Sequence, residues 1–208
     1  RAALEDENLV YTFSAARKAS HEGVLIGNLG AAQFCQDYSI KEARKAVDMI
    51  EADALAVHLN PLHEAVQSSG DVTFKACLEA LGKLKGVGVP IMAKETGAGI
   101  AQEEAVLLEK VGVDAIDIGG LGGTSFAAIE HYRAKAEKTL GKLFWNWGIP
   151  TAVSTVECAR SVKIEIIATG GIRNGVQVAK ALSLGASCCG IALPLLEKAL
   201  QGPGEVVQ

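Results

Sequence analysis

Ala168-Thr169-Gly170-Gly171-Ile172-Arg173-Asn174-Gly175, with Gly190-Ile191-Ala192-Leu193-Pro194 downstream of it, is the stretch that decides the fold. Each half follows an apolar, β-rich run, residues 164–168 and residues 188–192. Each leads toward a helix, residues 176–184 in the first case and the segment from Leu195 in the second. Two consecutive strand-to-helix turns of this kind are how a (β/α)8 barrel holds a phosphate. Glycine lets backbone N–H groups approach the oxygens, and the helix N-terminus adds partial positive charge. The pair predicts a bound phosphate, on a cofactor or on a substrate.

Working outward from these turns, strand and helix alternate along the chain. Apolar strand patterns fall at residues 24–29, 54–59, 89–94, 115–118, 164–168 and 188–192. Stretches with helical periodicity separate them, at residues 40–50, 74–84, 102–111, 125–138 and 151–161. That alternation predicts βαβ units and a parallel sheet. The expected fold class is α/β, a TIM (β/α)8 barrel, with residues 1–208 forming one partial, phosphate-binding domain. Eight strands close such a barrel, and a whole one takes roughly 250 residues. Residues 2–20 read as a helix with no strand before it, and the last helix is barely two turns long. The first two βα units and the C-terminal end are therefore expected to lie outside this chain. An open doubly wound sheet is the alternative, but it would carry its glycine turn after the first strand.

Composition narrows the function classes. The net charge is −4 with no basic stripe, which argues against nucleic acid as a partner. No apolar run is long enough to cross a bilayer, and no signal-peptide pattern opens the chain. Five cysteines, an odd number without a CxxC, read as buried reduced thiols of a cytoplasmic protein.

Polar residues gather where successive strands end, which is where a barrel keeps its active site. Asn28 closes the first strand; His58, Asn60, His63 and Glu64 follow the second; Lys94 and Glu95 follow the third. Asp117 ends the fourth, before Gly119-Gly120-Leu121-Gly122-Gly123-Thr124-Ser125, and Trp147 and Thr151 precede the two phosphate turns. Lys94 can pair with a phosphate or a flavin ring, form a Schiff base, or reach into solvent. Glu64 can hold Mg2+, which needs only one or two carboxylates besides substrate phosphates, or be a solvated loop residue. His58 and Asn60 alternate along a strand and point the same way, as a structural or a catalytic pair. His63 reads as a loop residue, an acid/base or simply exposed. His21 and His131 read as helix-surface residues. Thr124 reads as a phosphate or amide contact, or as a helix N-cap.

Five segments together resemble type 2, FMN-dependent isopentenyl-diphosphate isomerase. They are Arg1-Ala2-Ala3-Leu4-Glu5, His58-Leu59-Asn60-Pro61-Leu62-His63-Glu64-Ala65-Val66-Gln67, Lys94-Glu95-Thr96-Gly97-Ala98-Gly99-Ile100, Gly122-Gly123-Thr124-Ser125 and Gly170-Gly171-Ile172-Arg173-Asn174-Gly175. The second is the most specific, and the last is shared with other FMN barrels such as hydroxy-acid oxidases. The resemblance implies interconversion of isopentenyl and dimethylallyl diphosphate with reduced FMN and Mg2+, NADPH as the flavin's reductant, and a homo-oligomer. By position it implies flavin contacts from Asn28, Lys94, Gly119 and Thr124. It implies an FMN-phosphate site at Gly170, Gly171, Ile172, Ala192 and Leu193, a metal site at Glu64, substrate binding by Arg1 and His63, and a catalytic position at His63. The chain departs from the family pattern at four places. His63 replaces a glutamine placed near the proton transfer, Gly119 a serine, Phe126 a tryptophan and Asn146 an aspartate. Three other readings stand beside this one: a hydroxy-acid oxidoreductase on the same barrel, a phosphosugar lyase with Lys94 as nucleophile, and an inactive barrel fragment.

Overall fold

The computed structural model describes residues 1–19, 22–134 and 139–202. Six strands form one sheet in the order β1-β2-β3-β4-β5-β6, so every strand lies beside its neighbour in sequence. β1 pairs with β2 and β5 with β6 in parallel, and helices alternate with the strands. This is the sheet of consecutive βα units that the alternation of strand and helix predicts. The chain clusters into two compact units, Arg1–Lys94 with Val106–Ile116, and Glu95–Ala105 with Asp117–Gln208.

The first unit opens with α1 (Ala2–Glu5), a 3-10 turn (Glu7–Leu9) and α2 (Val10–Ala19). One continuous helix over residues 2–20 was expected. Asp6 breaks it by adopting an extended backbone and accepting the Asn8 N–H at 3.0 Å; residues 20 and 21, His21 included, lie outside the described residues. Then follow β1 (Ile26–Gly30), α3 (Ala31–Phe34), α4 (Ile40–Ile50), β2 (Ala54–Leu59), α5 (Pro61–Val66) and α6 (Cys77–Gly82). A 3-10 turn (Lys83–Gly86) leads to β3 (Ile91–Glu95). α4 starts where Ser39 and Glu42 form a capping box, with Glu42 Oε2 accepting the Ser39 N–H at 2.7 Å. β1 begins two residues later than its apolar pattern, because the Leu25 N–H is taken by the Asp53 carboxylate at 2.7 Å. The helix expected at residues 74–84 begins only at Cys77 and tightens into the 3-10 turn. Leu55, Val57, Leu84 and Ile116 are fully buried and form the heart of this unit.

α7 (Gln102–Val111) and β4 (Ala115–Asp117) follow, then α8 (Phe126–Arg133), α9 (Thr139–Leu143), α10 (Thr151–Ser161), β5 (Glu165–Ala168), α11 (Gly175–Ser183), β6 (Cys188–Cys189) and α12 (Leu193–Gln201). α8 stops at Arg133 as Ala134 turns extended, short of the expected end, and residue 138 lies outside the described residues. β6 keeps only two residues of the five expected, because the chain turns at Ala192 into α12. The core of the second unit includes Ala168, Ile172, Ala181 and Ala186, with Val178, Cys189 and Ile191 packed against them, so that α11 and the β6 strand meet over mostly small side chains. The expectation of buried thiols is corrected. All five cysteines are free, but only Cys158 is buried, and Cys188 is exposed on a strand too short to be covered. Among the described residues no helix is long and apolar enough to cross a membrane.

Candidate active site

In the first unit the chemistry collects at the C-terminal ends of β1, β2 and β3. Asn28 on β1 reaches across to β2, where its Oδ1 lies 3.1 Å from His58 Nδ1. An amide oxygen only accepts, so Nδ1 of His58 carries the proton and Nε2 keeps its lone pair. Burial pushes the His58 imidazole below its ordinary range, and Lys94 and His63 add to that shift while Glu64 opposes it. His58 is therefore neutral at pH 7, among a lysine, a second histidine and a carboxylate. The structure thus pairs His58 with Asn28, not with Asn60 as the strand alternation suggested. The strand ends at Leu59, and Asn60 turns away as the N-cap position of α5.

Pro61 at the first turn starts α5 by fixing a helical φ. His63 and Glu64 therefore sit on a helix rather than in a loop, both half-buried. Glu64 is held from both sides: Oε1 accepts from Asn60 Nδ2 at 2.8 Å and Oε2 from the Asp71 N–H at 2.7 Å. The segment after α5 folds back so closely that a Cβ on Gly70 would lie 1.9 Å from the Glu64 carbonyl oxygen. Asn60 Oδ1 is buried without a hydrogen-bond partner. A carboxylate with spare lone pairs beside an orphaned amide oxygen is an oxygen-only donor set, which suits a hard cation such as Mg2+. Among the described residues no group of three or more His, Cys, Asp or Glu could hold a metal by itself, so phosphate oxygens or water would complete the shell. Arg1 is exposed, and its guanidinium donates to Glu5 at 2.8 Å. Lys94 is the last residue but one of β3, half-buried.

The second unit holds the glycine turns. Gly170 and Gly171 both have positive φ, 111° and 82°, and Ile172 is buried beneath them. Asn174 caps α11 by accepting the Gln177 N–H at 3.0 Å. α12 begins at Leu193, two residues before its sequence estimate, with Ala192 and Leu193 exposed. Residues 169–175 and 189–194 contain no carboxylate, and each leads into the N-terminus of a nine-residue helix. That donor chemistry fits a phosphate such as the one FMN carries. Gly119 has a φ of 49°, and its N–H already donates to Thr169 Oγ1 at 2.9 Å and Asp117 Oδ1 at 3.2 Å. Thr124 is exposed and does not cap α8. Ser125 does, accepting the Ala128 N–H at 3.2 Å and donating to the Trp145 carbonyl at 2.7 Å.

Glu95 shapes the Thr96–Gly97–Ala98 turn. Its Oε2 accepts three successive N–H groups, from Thr96, Gly97 and Ala98, at 2.5, 2.7 and 2.7 Å. Burial nevertheless pushes its carboxyl from 4.5 up to about 7, with the three N–H donors opposing the rise. The consequence for stability has a definite sign. Below pH 4.5 both folded and unfolded chains carry the proton; between 4.5 and about 7 only the folded chain does; above that neither does. Folding stability is therefore expected to fall as pH rises from 5 to 8, by up to about 3 kcal/mol, and Glu95→Gln is expected to flatten that slope. Urea unfolding at pH 5, 6, 7 and 8 checks this; an unchanged slope in the variant would remove Glu95 as its source.

Two residues of this unit went unnoticed in the sequence. Glu130 is a buried carboxylate on α8, 8% exposed, with Arg133 donating to its Oε1 at 2.8 Å. Its position three residues after buried Ala127, on one helix face, was the available signal. Thr169 lies inside the quoted turn and donates to Asp117 Oδ1 from across the β4 and β5 ends. His131 is corrected from a surface residue to a half-buried one, 5.6 Å from Tyr132 and 6.2 Å from Trp145 by ring centroids.

Comparison with known proteins places this arrangement. Residues 44–197 match the family model described as the conserved region in glutamate synthase. The chain is 53% identical over its full extent to isopentenyl-diphosphate delta-isomerase of Methanothermobacter thermautotrophicus, spanning 58% of that protein. It is 52% identical over 92% of its length to the protein of the same name from Thermococcus kodakarensis, spanning 53% of it. The chain thus spans little more than half the length of these curated relatives. Among solved structures, inosine 5'-monophosphate dehydrogenase of Legionella pneumophila superposes with a TM-score of 0.59 at 22% identity, over 88% of this chain and 47% of that one. GMP reductase of Trypanosoma brucei gives 0.55 at 22% identity, over 83% of this chain and 31% of its own. At that identity the likeness speaks for the fold alone, and it agrees with the TIM-barrel topology read from the strands.

Proposed function

From the premise that the chain belongs to the family described as the conserved region in glutamate synthase, we propose that it carries the catalytic body of an FMN-dependent isopentenyl-diphosphate delta-isomerase. The observation that carries the reading is the identity of about one residue in two, over nearly the whole chain, to archaeal proteins of that name. The site chemistry supports it. Lys94, His58, His63 and Glu64 gather where a diphosphate and a divalent cation would need opposite charges.

In this reading Glu64, with Asn60 beside it, would hold Mg2+, whose charge would offset that of the substrate's diphosphate. Arg1 and His63 would contact the substrate. His63 also stands, by the family resemblance, where a proton moves to or from the allylic carbon, and an imidazole can both donate and accept there. Neutral His58 presents its Nε2 lone pair while Asn28 keeps the ring oriented through Nδ1. As the family resemblance implies, Gly170, Gly171 and Ile172, with Ala192 and Leu193, would receive the FMN phosphate, and Asn28, Lys94, Gly119 and Thr124 would contact the flavin. Reduced FMN, with NADPH as its reductant, supplies an electron-rich ring against which the double bond shifts without net oxidation. A cytoplasmic homo-oligomer completes the reading.

FMN titration of the polypeptide, extended to the length of its curated relatives, tests the flavin assignment. Saturable, stoichiometric quenching of flavin fluorescence is expected, and absence of binding would refute it. A hydroxy-acid oxidase would share that binding but turn over lactate or glycolate.

A further inference from the structure

The buried face of α10 is built from Ser154, Thr155 and Cys158 in place of large apolar side chains, all three fully buried. The Ser154 hydroxyl grips a loop rather than filling space. Ser154 Oγ accepts the Ile100 N–H at 2.9 Å and donates to the Ile100 carbonyl at 2.6 Å. Thr155 returns its hydroxyl to the Thr151 carbonyl at 2.7 Å. Thr151, at the start of the helix, points its hydroxyl at the Gly170 carbonyl, 2.7 Å away, with the Thr169 and Leu121 carbonyls at 3.3 and 3.4 Å.

These contacts meet a seam that glycine alone permits. Beyond the ends of β4 and β5 the ladder continues, with the Ile118 N–H on the Ile167 carbonyl and the Gly120 N–H on the Thr169 carbonyl, both at 2.9 Å. A Cβ on Gly170 would lie 2.2 Å from the Gly120 carbonyl oxygen and 2.6 Å from Thr151 Oγ1. A Cβ on Gly123 would lie 2.9 Å from the Gly171 N–H nitrogen. The Gly170–Gly171 turn is thus pressed against the Gly120–Gly123 segment. The Thr151 hydroxyl closes the seam from the side, and Thr169 and Asp117 close it from beneath.

We propose that Thr151 is a positioning residue for the phosphate turn: its hydroxyl, donating to the Gly170 carbonyl, sets the conformation of Gly170–Gly171 and thereby the affinity for the 5'-phosphate of the flavin nucleotide. This deepens, and rests on, the FMN-phosphate reading given above. A backbone carbonyl in a half-buried turn needs a hydrogen-bond partner, and the Thr151 hydroxyl supplies one to Gly170. Without the hydroxyl the peptide that links Gly170 to Gly171 is free to rotate, and the N–H of Gly171 loses its aim.

The test compares Thr151→Val, which keeps the shape, with Thr151→Ser, which keeps the hydroxyl, in the polypeptide extended to its relatives' length. FMN and riboflavin, which lacks the phosphate, are titrated into each apoprotein, and melting temperature is recorded alongside. Thr151→Val is expected to weaken FMN by about tenfold or more while riboflavin changes less than about threefold, and Thr151→Ser to restore FMN affinity. Equal loss for both ligands, or FMN affinity unchanged in Thr151→Val, would overturn the positioning role. A wild-type protein that binds FMN no better than riboflavin would instead overturn the phosphate assignment itself, and the positioning inference with it.

Discussion

Replacing Gly171 by alanine is expected to cost about 3–5 kcal/mol of folding stability and to abolish measurable FMN binding. Two independent effects add at this residue. Its φ of 82° lies in the left-handed region, where a Cβ meets its own backbone. The new Cβ would also stand 2.2 Å from the Gly122 carbonyl oxygen and 2.5 Å from its carbon. Those are backbone atoms, which cannot swing aside as the end of a lysine would. Either the Gly171 turn, which belongs to the proposed phosphate site, or the Gly122 segment pressed against it must move. Urea unfolding with a parallel FMN titration measures the two effects together. A variant that stays within about 1 kcal/mol of wild type and still binds FMN would show that the seam is looser than described.

Glu64→Gln is expected to lower isomerase turnover by about 100-fold or more and to raise the Mg2+ concentration needed for half-maximal rate, leaving FMN affinity intact. The carboxylate is the charged member of the proposed cation's donor set, and losing a Lewis-acid contact amounts to several kcal/mol in the transition state. Glutamine also puts an NH2 where one oxygen now faces Asn60 Nδ2 or the Asp71 N–H, so one donor would meet another. A melting curve separates that local strain from the loss of metal. Unchanged Mg2+ dependence would remove Glu64 from the metal site.

Much of this was legible because parallel strands and glycine turns leave strong marks. α4, α7 and α10 fall at the residues their periodicity predicts, and β2 at the residues of its apolar run. In each case one local signal meets no competitor. The misreadings arise where a side chain competes with the backbone pattern. Asp6 stops a helix that residues 2–20 otherwise favour, and Asp53 takes the N–H that would have lengthened β1. His58 could not be paired correctly from its own strand, because its partner Asn28 lies on the neighbouring one, and register between strands is not written in either. Glu130 and Thr169 were missed for a related reason: burial and cross-strand contact, not residue type, make them notable.

The central claim, isomerase chemistry, is tested most directly by supplying isopentenyl diphosphate to the polypeptide extended to its relatives' length, with Mg2+, FMN and NADPH under anaerobic conditions. The account predicts dimethylallyl diphosphate as product, formed only when both reduced flavin and Mg2+ are present and without consumption of NADPH beyond that needed to reduce the flavin. Loaded, reduced protein that leaves isopentenyl diphosphate unchanged, or that oxidises a hydroxy acid in its place, would contradict it.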